Sequence, residues 1–478
     1  MTMEQSGHRD LRKVLHGLTA GTLILGGVGG AVALIATIRS AEWLMNDGRI
    51  SVATLYIAVE IAVIVACFGS LRLPRSAMAQ AAGAFLAIVV GVYGANAVVT
   101  FKPFVAERAN MDEVAAARGH SADKRSRYRV VKDLRDAGID AVPHASPPNF
   151  YLHNRATGEI TTSVTIDGRE ALPLSMGVSN RRTVACNENG QWLIYDSDER
   201  GFRNPRGSWT KVPPDVVLLG DSFGFGSCEE DGNDIAGPIR RQFPATLNLS
   251  ASGGGGLSML AYLNEYLVHL RPRHVFWLFF EGNDMQNISE DTRMPLLRRY
   301  LDDPTFAVDL MNRQAEVDLA AQMLVDRFLA AGEKVRLESR WRSLLFLGPL
   351  RKALNLPPIT AVWTRPDEDN LALPELDQAL KRMKTGVESW GGRLHLVYLP
   401  AWSRGRDVNR VLPIYERTYQ GVRAISSANG INFIDLVPTF EAAAMPERLV
   451  SYPTSHYNDR GYRLVADAIL KELGASKP

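Results

Sequence analysis

Residues 215–228, "DVVLLGDSFGFGSC", set four apolar residues directly ahead of a serine in a glycine-laced loop. Residues 216–219 read as a short, fully buried strand that Gly220 and Asp221 end, so Ser222 stands where strand gives way to loop. Sites of open α/β sheets gather at that edge. Serine, aspartate and glycine are also ordinary turn and cap residues, so this stretch alone does not separate chemistry from a turn. The rest of the chain has to arbitrate.

With 478 residues, 46% hydrophobic and 22% charged, the chain has material for more than one folded region. Lys+Arg 54 against Asp+Glu 52 leaves a formal net charge of +2, which offers no global field for nucleic acid, and no nucleic-acid partner is expected. Apolar residues are concentrated at the start. Residues 15–38 and 77–101 carry no Asp, Glu, Lys or Arg, and residues 52–71 carry only Glu60. Each segment is long enough to cross a bilayer, so three transmembrane helices are expected within residues 1–101, with lipid as their partner. A cleaved signal peptide would account for the first segment only, and a buried soluble helix of such length would show a polar face. Glu60 reads as an intramembrane functional group or as a carboxyl packed against a neighbouring span.

Arg9, Arg12 and Lys13 ahead of the first segment, with Arg72 and Arg75 in the second loop, outweigh Arg39 and Arg49 in the first loop. That bias puts the amino terminus in the cytoplasm. Three crossings then carry everything beyond Phe101 to the far side, which in a bacterium means an inner-membrane protein with a periplasmic or otherwise extracytoplasmic C-terminal domain. Cys67 falls within the second segment, leaving Cys186 and Cys228 in that oxidising compartment. They read as a disulfide or as two free buried thiols.

Residues 102–150 are charge-rich and are expected as a helical stalk or linker, and residues 151–212 as a small strand-rich lead-in, with "ITTSVTI" and "QWLIYDSDERGFRNP" as alternating stretches. From 213 to 478 the pattern becomes strand, loop, helix, repeated. "DVVLLG", "ATLNLS", "HVFWLFF", "RLHLVYLP" and "INFIDLV" are the strand candidates, and a helical insertion is expected at about 296–357. That alternation argues an α/β fold, a parallel sheet with helices on both faces.

The second strand candidate runs into "SASGGGG" and the third into "EGNDMQN", so both deliver small or amide-bearing residues to the sheet edge that holds Ser222. Near the end, "SYPTSHYNDRGYRLVADAIL" sets His456 just before the final helix. A serine hydroxyl is a poor nucleophile until a base takes its proton, and imidazole suits that task. The attacked carbonyl develops an oxyanion, which needs fixed donors such as the unobstructed N–H of Gly253 and the amide of Asn283.

These four residues, in this order, resemble the SGNH (GDSL) hydrolase family, with "GDSF", "SG", "GND" and the "H" of "TSHYN" as its blocks over a little more than half the chain. The resemblance implies a three-layer α/β/α sandwich and ester hydrolysis or acyl transfer through an acyl-serine. Ser222 would be the nucleophile and His456 the base, with the Gly253 N–H, the Asn283 amide and the Ser222 N–H as oxyanion hole. No cofactor or metal is implied, and no histidine and acid spacing resembles a metal site. The layout is also similar to membrane-anchored members that modify envelope or exported polysaccharides, which implies an acylated, notably acetylated, glycan as substrate and envelope biosynthesis proteins as partners.

One departure matters. The family's aspartate three residues before the histidine is replaced by Pro453, and two residues before stands Thr454. The orienting acid is therefore unknown, with a backbone carbonyl near Pro453, the Thr454 hydroxyl, Glu281 and Asp459 all open as substitutes. "GDSFG" also satisfies the G-x-S-x-G elbow of α/β-hydrolases, but "GND" has a role only in the SGNH reading. Asp221 and Asp284 read as braces or caps, His395 as a core residue, and His269 and His274 as loop or surface. Two functions stand: an envelope serine esterase or O-acyltransferase, and a catalytically silent SGNH-like domain that binds a glycan or partner protein.

Overall fold

The structure, a computed structural model, describes residues 3–46, 50–154, 157–333, 341, 344–345, 347–354, 372–401, 404, 412–443 and 456–475. The chain forms two units. The first comprises Met1–Ala106, Arg155–Gly158 and Arg336–Thr364, and the second the remainder.

The first unit is built on α1 (Met3–Asn46), α2 (Ile50–Ser70) and the start of α3 (Arg75–Ala117). Two stretches, Lys13–Ile35 and Arg75–Thr100, are long and apolar enough to cross a membrane, whereas the apolar part of α2, Tyr56–Ser70, is shorter. The expectation of three clear spans is thus met by two. Side chains such as Leu25 (74% exposed) and Ile88 (65%) face outward, as they would toward an apolar solvent. Thr37 Oγ1 donates to Glu60 Oε1 at 2.8 Å, so Glu60 is a carboxyl packed against a neighbouring helix. Of the insertion expected at about 296–357, residues 336 onward belong to this unit, where Tyr93 and Asn96 donate to the Leu345 and Leu344 carbonyls.

The second unit contains a five-stranded, wholly parallel sheet. Its strands are β8 (Val216–Leu219), β9 (Thr246–Asn248), β10 (His274–Phe280), β11 (Arg393–Leu399) and β12 (Asn432–Asp435), in the order β12-β11-β10-β8-β9. Both faces are apolar, with a period of two. Val217, Leu219, Trp277, Phe279 and Leu396 point into one core, and Val216, Leu218, Phe276, Leu278 and Val397 into the other. Each fully buried side chain of this kind contributes about 1.5–3 kcal/mol. The final helix, Asp459–Ala475, buries Tyr462, Val465, Ala466, Ile469 and Leu473, a helical stripe that docks on the second core. The order reverses at β8, from which β9 lies to one side and β10 to the other. The carboxyl end of β8 is therefore the topological switch point, and Ser222 follows it.

The other strands precede the sheet. β1 (Ala141–Pro143), β6 (Arg182–Val184) and β7 (Ile194–Asp196) form a three-stranded sheet, and β2 (Tyr151–His153) with β3 (Ile160–Thr162) and β4 (Thr165–Ile166) with β5 (Arg169–Glu170) form two small hairpins. Beyond β6, bonds between Ala185 N and Leu193 O (2.9 Å) and between Leu193 N and Cys186 O (2.8 Å) close a loop of residues 187–192.

Candidate active site

Four ties shape the loop after β8. Asp221 caps the short helix Ser222–Phe225, its Oδ1 accepting the Phe223 N–H at 2.8 Å, and Gly226 ends it in the left-handed region at φ +73°. Asp221 Oδ2 accepts from Asn283 Nδ2 at 3.1 Å, so one carboxylate holds both the serine turn and the amide that follows β10. The Ala251 N–H bonds the Gly220 carbonyl at 3.0 Å, fastening the loop after β9 to the same turn. Gly253 in that loop has φ +73°, and a Cβ there would come within 2.6 Å of Pro148 Cγ. Its amide makes no hydrogen bond among the described residues.

His456, three residues ahead of the final helix, completes the arrangement. Its Nε2 lies 2.7 Å from Ser222 Oγ and its Nδ1 lies 2.7 Å from Glu188 Oε1. The ring rests on Phe223, centroids 4.9 Å apart, and Phe223 stacks on Phe280 at 3.6 Å. Serine and histidine are partly open to solvent, while Glu188 is 7% exposed. Burial opposes charge on His456. The Glu188 hydrogen bond and the charges of Glu188 and Asp221 outweigh it, so the ring titrates above its ordinary value.

Ser222 and His456 are thus in direct contact, and Asn283 reaches Ser222's turn through Asp221. The carboxylate that meets His456 Nδ1 is Glu188, which the sequence candidates did not include. Glu281 is committed elsewhere: it accepts from Tyr398 OH (2.8 Å), the Ala401 N–H (2.7 Å) and Arg404 Nε (2.8 Å). Asp459 opens the final helix and faces Arg118 at 3.6 Å. Pro453 and Thr454 lie outside the described residues. The signal for Glu188 was its position two residues after Cys186, since Cys186 and Cys228 form a disulfide, with Cα atoms 5.3 Å apart, that pins the Glu188 loop six residues beyond Ser222.

Two further carboxyls sit behind the serine turn. Burial pushes Asp221 up, against the Phe223 N–H, the Asn283 amide and the His456 charge; burial and the Asp221 charge drive Asp284 far above the carboxylate range. Among the described residues Asp284 has one donor, the Phe280 N–H at 2.9 Å, and its Oδ1 has none, so of the two Asp221 is the better able to carry charge. His395 is a core residue stacked on Phe276, and His274, expected at the surface, is half-buried with its Nδ1 3.0 Å from His395 Nε2. Among the described residues no three His, Cys, Asp or Glu side chains gather as metal ligands.

Among known proteins, no family model matches the chain, and no curated protein matches it by sequence. Solved structures do resemble it. One is a lipase/acylhydrolase from Enterococcus faecalis, 14% identical, covering 55% of this chain and 98% of its own, with a TM-score of 0.32. Another is a member of the lipolytic protein G-D-S-L family from Veillonella parvula, 13% identical over 54% and 96% of the two chains, TM-score 0.30. A third is an acetyl xylan esterase, 11% identical over 54% and 98%, TM-score 0.32. Likenesses of that size carry no activity over to this chain, which leaves the hydrogen-bonded geometry around Ser222 as the basis for its chemistry.

Proposed function

We propose that the chain is a membrane-anchored serine esterase or O-acyltransferase of the SGNH (GDSL) type, acting on acylated, in particular acetylated, glycans of the cell envelope or in export. The observation that carries this reading is the continuous relay from Ser222 Oγ through His456 to Glu188, two hydrogen bonds of 2.7 Å each. Glu188 holds the proton on Nδ1, which leaves Nε2 free to accept the serine proton as Oγ attacks the acyl carbonyl. The new C–O bond places negative charge on the carbonyl oxygen, met by the Ser222 and Gly253 N–H groups and by the Asn283 amide hydrogen not given to Asp221. Collapse breaks the bond to the sugar oxygen, which takes the proton from His456 and departs. Water, in an esterase, or a second sugar hydroxyl, in a transferase, then gives its proton to His456 as it attacks the acyl carbonyl; the bond from the acyl carbon to Ser222 Oγ breaks, and Oγ takes the proton back from His456.

A silent binding domain drew its support from the lack of a carboxylate beside His456, and Glu188 supplies one. For the anchor, the two long apolar helices favour insertion, and parity favours α2 as a third crossing. With a cytoplasmic amino terminus, only an odd number of crossings puts the Cys186–Cys228 pair in an oxidising compartment. The test is fluorophosphonate labelling of the full-length chain in detergent. An adduct on Ser222, absent from Ser222→Ala, is expected. A folded wild type that takes no label is the outcome of a binding protein. Release of acetate against its transfer to a glycan acceptor then separates esterase from transferase.

A further inference from the structure

Glu188 has a single side-chain partner, His456, and its second oxygen, Oε2, accepts no hydrogen bond among the described residues. Among the described residues no other side chain orients this carboxylate, which leaves the backbone of residues 187–192 to set it. That loop belongs to the small three-stranded sheet, yet nearly all of its ties run elsewhere. Cys186 is bonded to Cys228. Asn189 Nδ2 donates to the Cys228 carbonyl at 2.7 Å. Asn187 Nδ2 donates to the Asp123 carbonyl at 2.8 Å, and the Gly190 carbonyl accepts the Asp123 N–H at 2.7 Å. Gly190, at φ +91°, lies flat on the end of α3, where an added Cβ would come within 2.6 Å of Ala115 Cβ.

The residue between those anchors, Arg118, reaches the neighbours of the other two members of the relay. Its guanidinium grips Glu229 with both oxygens, Nη2 to Oε1 at 2.8 Å and Nη1 to Oε2 at 3.1 Å; Glu229 is fully buried and adjoins Cys228 in the loop that follows Ser222. The same Nη2 lies 3.6 Å from Asp459, three residues beyond His456. Residues 111–123, the end of α3 and the turn after it, therefore touch the Glu188 loop, the loop that follows Ser222 and the start of the helix that follows His456.

We infer that Arg118, Asn189 and the Cys186–Cys228 disulfide are positioning elements that set Glu188 against His456, bracing the acid between the segment that leads into the domain and the loop that follows Ser222; this rests on the catalytic reading above. The brace is complete only once the disulfide has formed, so chemistry is tied to an oxidising compartment.

The experiment is a double-mutant cycle on the full-length chain in detergent, reading kcat and KM for an aryl acetate across pH. The brace variants are Cys186→Ser with Cys228→Ser, Arg118→Gln with Glu229→Gln, which removes both charges so that neither is left buried alone, and the milder Asn189→Ala should a double variant fail to fold. Each is made in the wild-type and in the Glu188→Gln background. Expected in the wild-type background is a fall in kcat of about tenfold with KM little changed, and an acid limb displaced to lower pH; in the Glu188→Gln background the same changes cost less than about twofold. Wild-type kcat and limb in folded variants overturn the brace. So does an equal loss in both backgrounds, which is the signature of a merely structural tie. A wild type that neither turns over the ester nor takes a fluorophosphonate overturns the catalytic reading, and the brace with it; an active wild type with unmoved variants overturns the brace alone.

Discussion

Ser222 leaves the parallel sheet three residues past the end of β8, while Glu188 hangs on a loop of residues 187–192 between two three-residue strands. The sheet is covered on both faces, so its strand ends are fixed by cores such as Trp277 and Phe279 on one side and Phe276 and Leu278 on the other. The small sheet has no such depth, and its contribution to the site is held by a disulfide and a few hydrogen bonds. In the proposed reaction one region supplies a group that forms and breaks bonds, the other a group that orients its base. Their loss should therefore differ in kind.

The widest gap is expected for the sheet-borne pair. Ser222→Ala and His456→Ala should each lower kcat on an aryl acetate by about 10⁴-fold or more, since neither nucleophile nor base has a substitute in the site. Near-normal turnover in folded His456→Ala would break the comparison outright, because Glu188 would then have nothing to orient.

Glu188→Gln comes next, at roughly 10³-fold in kcat, as the amide cannot stabilise an imidazolium or fix its tautomer. Its pH profile gives a second reading. His456 must be neutral to take the serine proton, and the Glu188 hydrogen bond raises its pKa, so wild-type kcat/KM should fall as pH drops through a value above 6.5. Without the carboxylate the proton is held less tightly, so the limb should move to lower pH while the plateau falls. Glu281→Gln and Asp459→Asn should leave the limb where it is, since Glu281 serves Arg404 and Tyr398 and Asp459 faces Arg118.

Asn283→Ala, at roughly 10²-fold in kcat, sharpens the contrast within the sheet-borne set. It removes one oxyanion donor of three and leaves the relay intact, so the acid limb should not shift. A shifted limb would mean that the Asn283 contact with Asp221 governs His456 through charge, and not the oxyanion directly.

The same contrast governs how much was legible in the sequence. Strands such as "VVLL" and "HVFWLFF" declare themselves by composition, and the loops that follow them carry Ser222, Gly253 and Asn283 to one edge because parallel strands share an end. The histidine was legible from the start of the final helix, whose apolar stripe fixes its dock. Glu188 was not. Its partner is 268 residues away, its loop has no strand periodicity, and "NENG" reads as any turn. Only the cysteine pairing joined that loop to Ser222, and the sequence left it open beside two free thiols. The apolar helices divide similarly: the uncharged stretches of α1 and α3 are long and apolar enough to cross a membrane, while α2, with Glu60 turned to Thr37, has the shorter apolar run.

The smallest effect is the one expected of Thr454→Asp. A carboxylate two residues before the histidine restores acid to a stretch that lacks one, and if His456 were unsupported it would raise kcat. His456 Nδ1 has one hydrogen to give, and Glu188 Oε1 stands 2.7 Å away to receive it. A second carboxylate finds no further hydrogen on Nδ1. Its charge would add to that of Glu188 and Asp221 in holding a proton on the imidazole, which raises the pKa further and leaves less neutral base at a given pH. Thr454→Asp should thus hold kcat level or lower it by no more than about threefold, with the acid limb displaced to higher pH, opposite to Glu188→Gln. In the Glu188→Gln background the new aspartate restores the negative charge that the substitution removes, and there it should recover part of the lost kcat. A gain in the wild-type background, measured on the same aryl acetate, would mean that Glu188 does not hold the ring during turnover, and the division of labour between the two sheets would have to be redrawn.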